Sequence, residues 1–204
     1  PFLLNPKDSF SDQQLLQSSD RVGLAKKSEI NAWSGPFIMA TANTRVVRRS
    51  EALLALRQES YGPNFTYQEH AFHKSWFSAF RSLVLTGISV LVLLSPLKRL
   101  VKPFLPKPGE GPSEFVQENG WFDCKFIVET EDGIKSVFNM NGKGDPGYKV
   151  TSKLVSECAL CLIEEIDNLP GGSEYGGVLT CASGLGNPLI ARLSKTGINF
   201  TGPL

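Results

Sequence analysis

GGVLTCASGLGNPLIARLSKTG, residues Gly176 to Gly197, decides between two folds. A short apolar run, Val178-Leu179-Thr180, leads into Gly184-Leu185-Gly186 and then a helix-like stretch from Pro188 to Lys195. That order opens a dinucleotide-binding fingerprint, and a complete one would make the chain a doubly wound α/β domain. The fingerprint needs a third glycine at G-x-G-x-x-G, a following strand, and an acid about 20 residues on for the ribose. Here Leu189 stands at the third glycine position, Pro188 falls where the helix opens, and no acid follows before Leu204. The stretch therefore reads as a short strand, Gly177 to Cys181, then a helix entry with Asn187 as N-cap and Pro188 in the first turn. A nucleotide site is expected outside these residues.

Upstream, a unit begins near Pro112. Trp121 to Glu131 alternates well enough for a strand, Asp132-Gly133 is a hairpin signal, and Ile134 to Asn141 is the return strand. A glycine-rich break, Gly142 to Gly147, precedes a helix from Tyr148 to Ile166, which Asn168-Leu169-Pro170-Gly171-Gly172 ends. Ile198 to Thr201 reads as an edge strand. The order β-β-α-β-α-β predicts an α+β fold, a mixed or antiparallel sheet with flanking helices.

Further upstream lies WFSAFRSLVLTGISVLVLLSPLKRLVKPFL, Trp76 to Leu105. Its charge-free core, Ser82 to Leu97, is 16 residues, about 24 Å as a helix against roughly 30 Å of bilayer hydrocarbon. Extension to Trp76 includes Arg81, which can snorkel, and Pro96 limits the helix at the other end. Trp76, Phe77 and Phe80 cluster at one end, and Lys98, Arg99 and Lys102 at the other, which is interfacial anchoring chemistry. With Leu83, Leu85, Ile88, Leu91 and Leu94 the segment is apolar on every side, so it is either enclosed in a core or in lipid. The reading favours one apolar membrane-associating helix, either a shallow or re-entrant insertion or a tilted span. Lys102 to Pro112 is a proline-rich linker.

The 204 residues, 41% hydrophobic and 20% charged, exclude global disorder, and a net charge of +1 argues against a nucleic-acid binder. The charge is local. From His70 to Gly109 there are six basic residues (Lys74, Arg81, Lys98, Arg99, Lys102, Lys107) and no acid, so this window is +6 and the rest sums to −5.

No catalytic constellation is visible. Cys158 and Cys161 form a CxxC inside a helix pattern without a second ligand pair, so buried packing outweighs zinc. His70 and His73 would share one side of a helix, which makes a weak metal pair, and lipid-surface or capping roles fit them better. Arg45, Arg48 and Arg49 fall on one side of a helix from Ile38 to Arg57, either as a solvated or ion-paired face or as a phosphate or acidic-partner contact. Asp145 with its glycines either supplies amides to an anion or forms a tight turn. Residues 1–35 read as polar loop with turns at Asn5-Pro6-Lys7-Asp8 and Ser18-Ser19-Asp20, and Phe65 to Glu69 as a short strand. No targeting signal opens the sequence, and a start at Pro1 is expected of a processed chain, a proteolytic piece or a fragment.

Several ordered runs carry a resemblance: Gly35-Pro36-Phe37-Ile38-Met39, Asn43 to Ser50, Lys107 to Glu114, Gly120-Trp121-Phe122, Gly144 to Tyr148, Ser156 to Leu160 and Gly176 to Thr180. In this order and spacing the chain resembles the saccharopine dehydrogenase-like oxidoreductases, which include trans-acting enoyl reductases of lipid synthesis. The resemblance implies a nicotinamide-linked reductase of hydrophobic or lipid-like substrates, associated with a membrane or lipid droplet. It also implies that an N-terminal Rossmann domain, absent from this chain, holds the NAD or NADP, and that the chain is the portion after it. On this reading 1–75 is a partial first half of a substrate-type domain, 76–106 the apolar segment and linker, and 107–204 an α+β C-terminal unit. Cys181 stands where the family usually has proline, implying a looser loop. No catalytic residue transfers. The location implied is intracellular and membrane-associated, with a mitochondrial membrane favoured. The alternative is an inactive accessory subunit docked to a membrane complex through Trp76 to Leu105.

Overall fold

In the computed structural model, residues 2–7, 9–19, 23–105, 107 and 109–203 are described. Asp8, Asp20, Pro106 and Pro108, which figure in the turn and linker readings, lie outside them. The chain divides into two compact units, residues 1–106 and 107–204. Each holds a three-stranded antiparallel sheet with helices, an α+β arrangement.

In the first unit, α1 (Asp12–Gln17) is followed by β1 (Ala25–Lys27), β2 (Ala32–Gly35), α2 (Ala40–Ala55) and β3 (Ala71–His73). α3 (Trp76–Leu94), α4 (Lys98–Val101) and a 3-10 turn at Lys102–Phe104 complete it. The sheet order is β1-β2-β3, with Lys26 opposite Trp33 and Ser34 opposite Phe72. The described residues of 1–35 therefore hold regular elements, α1, β1 and β2, and not only polar loop. Ser11 and Gln14 exchange side-chain and backbone hydrogen bonds in a capping box, which starts α1 in a sequence without an apolar stripe.

The strand expected at Phe65–Glu69 is not there, and β3 forms two residues later. Side chains take the backbone carbonyls of the expected strand: Gln14 donates to the Phe65 carbonyl at 3.4 Å and Arg48 to that of Tyr67 at 2.9 Å. Its own side chains turn to α2, where Asn43 donates to Glu69 at 2.9 Å and the Tyr67 hydroxyl to the same carboxylate at 3.0 Å. Local alternation loses here to tertiary hydrogen bonding.

The second unit contains α5 (Glu114–Asn119), β4 (Trp121–Glu129), β5 (Lys135–Lys143), α6 (Lys149–Glu164), α7 (Cys181–Gly184), α8 (Gly186–Ser194) and β6 (Ile198–Thr201). β4 and β5 pair over nine residues from Trp121↔Lys143 to Glu129↔Lys135, and β6 pairs with the far side of β5. Residues 130–134 close the hairpin. The Gly133 N–H donates to the Thr130 carbonyl at 2.9 Å, and Gly133 takes a φ of 84° that a side chain would resist.

α6 and α8 lie on this sheet. Val150, Cys161, Leu185, Leu189, Leu193 and Ile198 form the buried core, with Phe122, Met140, Leu154, Cys158 and Leu169 packed on it. Each fully buried aliphatic side chain stabilises the unit by about 1.5–3 kcal/mol. Gly142 sits opposite Phe122 because a Cβ there would meet the Phe122 ring at 2.7 Å. The strand expected at Gly177–Cys181 is also absent. Val178 is 83% exposed, and Cys181 opens α7 instead of closing a strand, so from β4 onward the element order is β-β-α-α-α-β, with α5 before it.

Candidate functional site

α3 is the element that the sequence reading singled out. Ser75 caps it, accepting the Ser78 N–H at 3.2 Å. The Trp76 and Phe80 rings stack one turn apart with centroids 5.2 Å from each other. At the far end Ser95 takes an extended conformation, as the residue before a proline does, and its N–H still bonds the Leu91 and Val92 carbonyls. The chain then bends into α4 and the 3-10 turn, which set Lys98, Arg99 and Lys102 among exposed Leu97, Leu100, Phe104 and Leu105.

An enclosed core helix does not describe α3. Of its 19 residues only Ala79 is buried, with none of its surface exposed. α3 is long and apolar enough to cross a membrane, with a mean hydropathy of 2.0. Trp76, Phe77, Phe80, Leu85, Ile88, Leu91 and Leu94 are exposed, as are Lys98, Arg99 and Lys102. Leu83 differs, being half-buried on the stripe it shares with Ala79.

The glycine pair that opened the question has a structural task. The Gly184 and Leu185 amides donate to the Thr180 and Cys181 carbonyls at 2.9 Å each, inside α7. A Cβ on Gly184 would meet Leu179 at 3.2 Å, and one on Gly186, whose φ is 49°, would meet Pro170 at 2.7 Å. Close packing and a kink between two helices account for both glycines. Asn187 is not the cap of α8, which opens at Gly186 after Leu185, with no side-chain cap and with Pro188 in its first turn. The capped helix is α7, where Thr180 exchanges hydrogen bonds with Ser183 in a capping box. The loop expected to loosen at Cys181 is thus the first turn of a capped helix.

Of the Arg45, Arg48 and Arg49 trio, Arg48 does not lie on a solvated face. Arg48 is 2% exposed, donates to the Tyr67 carbonyl and lies 5.5 Å from the Phe2 ring centre. Arg49 donates to the Leu4 carbonyl and Arg45 to that of Thr41. Arg48 and Arg49 tie the N-terminal segment to α2, and Arg45 bonds within the helix. His70 and His73 do not share a helix side, because β3 takes up Ala71–His73. His73 Nδ1 lies 3.5 Å from the Ser78 hydroxyl, at the start of α3.

Two amides of the glycine-rich break are taken up within the unit. Gly144 donates to Gly120 at 2.7 Å and Asp145 to Gln117 at 2.9 Å, and the Asp145 carboxylate takes the Tyr148 N–H at 2.8 Å before α6. It is a turn, not an anion cradle. Cys161 is buried in the core. Burial first, and then neighbouring Cys181, push the Cys158 thiol up to about 11, away from the reactive thiolate. Among the described residues no three His, Cys, Asp or Glu side chains converge as a metal set. Sequence reasoning missed the Arg192 hub, which holds Glu157 at 2.9 Å and Glu164 at 2.6 Å. Its signal was present: the two acids lie seven residues apart on one side of α6.

No family model matches the chain. No solved structure matches it. A Mycobacterium tuberculosis (strain H37Rv) protein named as a trans-acting enoyl reductase is 36% identical over 213 residues, 98% of this chain and 49% of its own length. Trans-acting enoyl reductases of Mycobacterium ulcerans and Mycobacterium bovis are each 34% identical over 174 residues, 81% of this chain and 40% of theirs. The chain thus spans about half the length of the curated relatives it matches. Over most of its length the chain is thus similar, at 34–36% identity, to proteins named trans-acting enoyl reductases.

Proposed function

We propose that the chain is the second-domain portion of a membrane-associated, NAD(P)-linked oxidoreductase of the saccharopine dehydrogenase-like kind, acting on a hydrophobic or lipid-like substrate. The observation that carries this reading is the match to relatives named trans-acting enoyl reductases, which runs over nearly the whole chain and half of theirs. The ordered motifs from Gly35 to Thr180 add the saccharopine dehydrogenase-like resemblance. On this reading the dinucleotide sits on residues outside this chain, and the exposed apolar α3 holds the enzyme where lipid-like substrates partition. The membrane favoured is organellar, a mitochondrial one first and a lipid droplet second.

Two measurements test it. Fluorescence titration of this chain with NADH and with NADPH is expected to show no micromolar binding, and clear micromolar binding would overturn the placement of the cofactor. Replacing Val90 and Leu91 with Asp is expected to release the protein from membranes while it stays folded, since a charge at depth costs about 2.5–3.5 kcal/mol. Unfolding of both variants in detergent-free buffer, with a soluble monomeric parent, would overturn the membrane role.

A further inference from the structure

We infer that α3 is an in-plane anchor seated in a single leaflet rich in anionic phospholipid, and not a span. The inference rests on the membrane attachment proposed above and gives it a geometry and a lipid class.

The geometry comes from which side of α3 is covered. Ala79 is closed, and Ser82, Leu83 and Thr86 are half-covered, at spacings of three and four that make one stripe. Ser78 and Val92 are the other covered positions. α3 packs on β2 and β3. For its first three turns the helix therefore runs along a sheet of its own unit. Beyond Thr86, Gly87 to Leu94 leaves eight residues, about 12 Å of helix, against roughly 30 Å of hydrocarbon. A span would draw the sheet down beside the helix, and the peptide groups at its edges would lack partners in hydrocarbon. Lying in the plane avoids this, with the covered stripe toward the protein and the opposite arc toward lipid.

That opposite arc has the composition an interfacial helix needs. Phe77, Phe80, Val84, Ile88 and Leu91 are all exposed on it. Arg81, also exposed, stands in the middle of the same arc. Its charge is costly at mid-bilayer depth but suits the headgroup boundary, where an in-plane helix sits about 5–10 Å deep. The elbow after Pro96 adds Lys98, Arg99 and Lys102 among exposed apolar side chains. No acid occurs between His70 and Gly109 to neutralise these cations. A phosphate-bearing, net-negative surface complements such a rim, whereas a neutral one does not.

Flotation of the full chain with sealed vesicles tests the lipid class, and nitroxide depth measurement tests the geometry. Phosphatidylcholine vesicles carrying phosphatidylglycerol are expected to bind the chain well above phosphatidylcholine alone. The Lys98→Gln, Arg99→Gln, Lys102→Gln triple variant is expected to lose about a hundredfold in partitioning, roughly fivefold per exposed cation. Equal binding to both vesicle types would overturn the anionic preference while leaving membrane attachment intact, and binding to neither would overturn the attachment itself. For geometry, nitroxides are placed singly at Phe77→Cys, Val84→Cys and Leu91→Cys, with Cys124, Cys158 and Cys181 replaced by Ser. One common shallow depth is expected. A span would instead give steps of about 10 Å between successive labels, and that gradient would overturn the in-plane anchor.

Discussion

α3 and α6 are similar in length, 19 and 16 residues, and both are rich in Leu and Val, yet they end in opposite environments. α6 buries Val150 and Cys161, and Leu154 and Cys158 pack on the same core. Beside that stripe Glu157 and Glu164 are gripped by Arg192 of α8. α3 closes a single alanine and carries no acid. The difference lies in pattern more than in total apolarity. A stripe needs one partner, and β4-β5-β6 supplies it, whereas a helix apolar all round needs cover on every side. The first unit offers α3 one side of a small sheet.

The comparison breaks most readily at the core of the second unit. Ile198, 1% exposed, is expected to cost about 2–5 kcal/mol when truncated to alanine, as a lower denaturant midpoint. Leu91→Ala in α3 is expected to shift the same midpoint by less than about 0.5 kcal/mol, as an exposed site does. Equal losses at the two positions would place α3 in a core. A smaller effect sharpens the end of the same unit. Thr180→Ala should cost about 1 kcal/mol by removing the true cap of α7, while Asn187→Ala should be near neutral. Thermal unfolding of the two variants reads this, and the reverse order would restore Asn187 as the cap.

The smallest expected effect is a pH slope. Cys158 is raised in the folded protein from a thiol's ordinary value of 9.0 to about 11, so folding favours the protonated thiol. Its contribution is complete below about pH 9, where both states hold the proton, and falls away as pH rises toward 11 and the unfolded thiol ionises. Cys158→Val should flatten that decline in denaturant midpoint between pH 9 and 11. An unchanged slope would show that the thiol is not buried as described.

Long periodic elements were legible in the sequence, and short ones were not. The β4–β5 hairpin announced itself by alternation and by Asp132-Gly133, α6 by its apolar spacing, α2 by its arginine spacing and α8 by the proline at its first turn. β1, β2 and β3 hold three or four residues each, too few to establish a period, and long-range pairing decides them. Two stretches misled for a shared reason. Phe65–Glu69 and Gly177–Cys181 look like strands locally, but side chains of Arg48 and Gln14 in one case, and of Thr180 and Ser183 in the other, claim the backbone. In the candidate site, composition revealed the apolar run and its cations. That Leu83 belongs to the covered stripe depends on which side of α3 meets β2 and β3, which hydropathy alone does not encode.

The closed alanine of α3 has an evolutionary corollary. At Ala79 a larger side chain has nowhere to go, so drift there is restricted to glycine or serine, and the neighbouring small residues share part of that restriction. On the open arc, leucine, isoleucine, valine and phenylalanine are interchangeable, because a fluid neighbour has no shape to match. Descendants of this gene should therefore keep α3 greasy while scrambling its spelling, with one small letter preserved among many exchangeable ones.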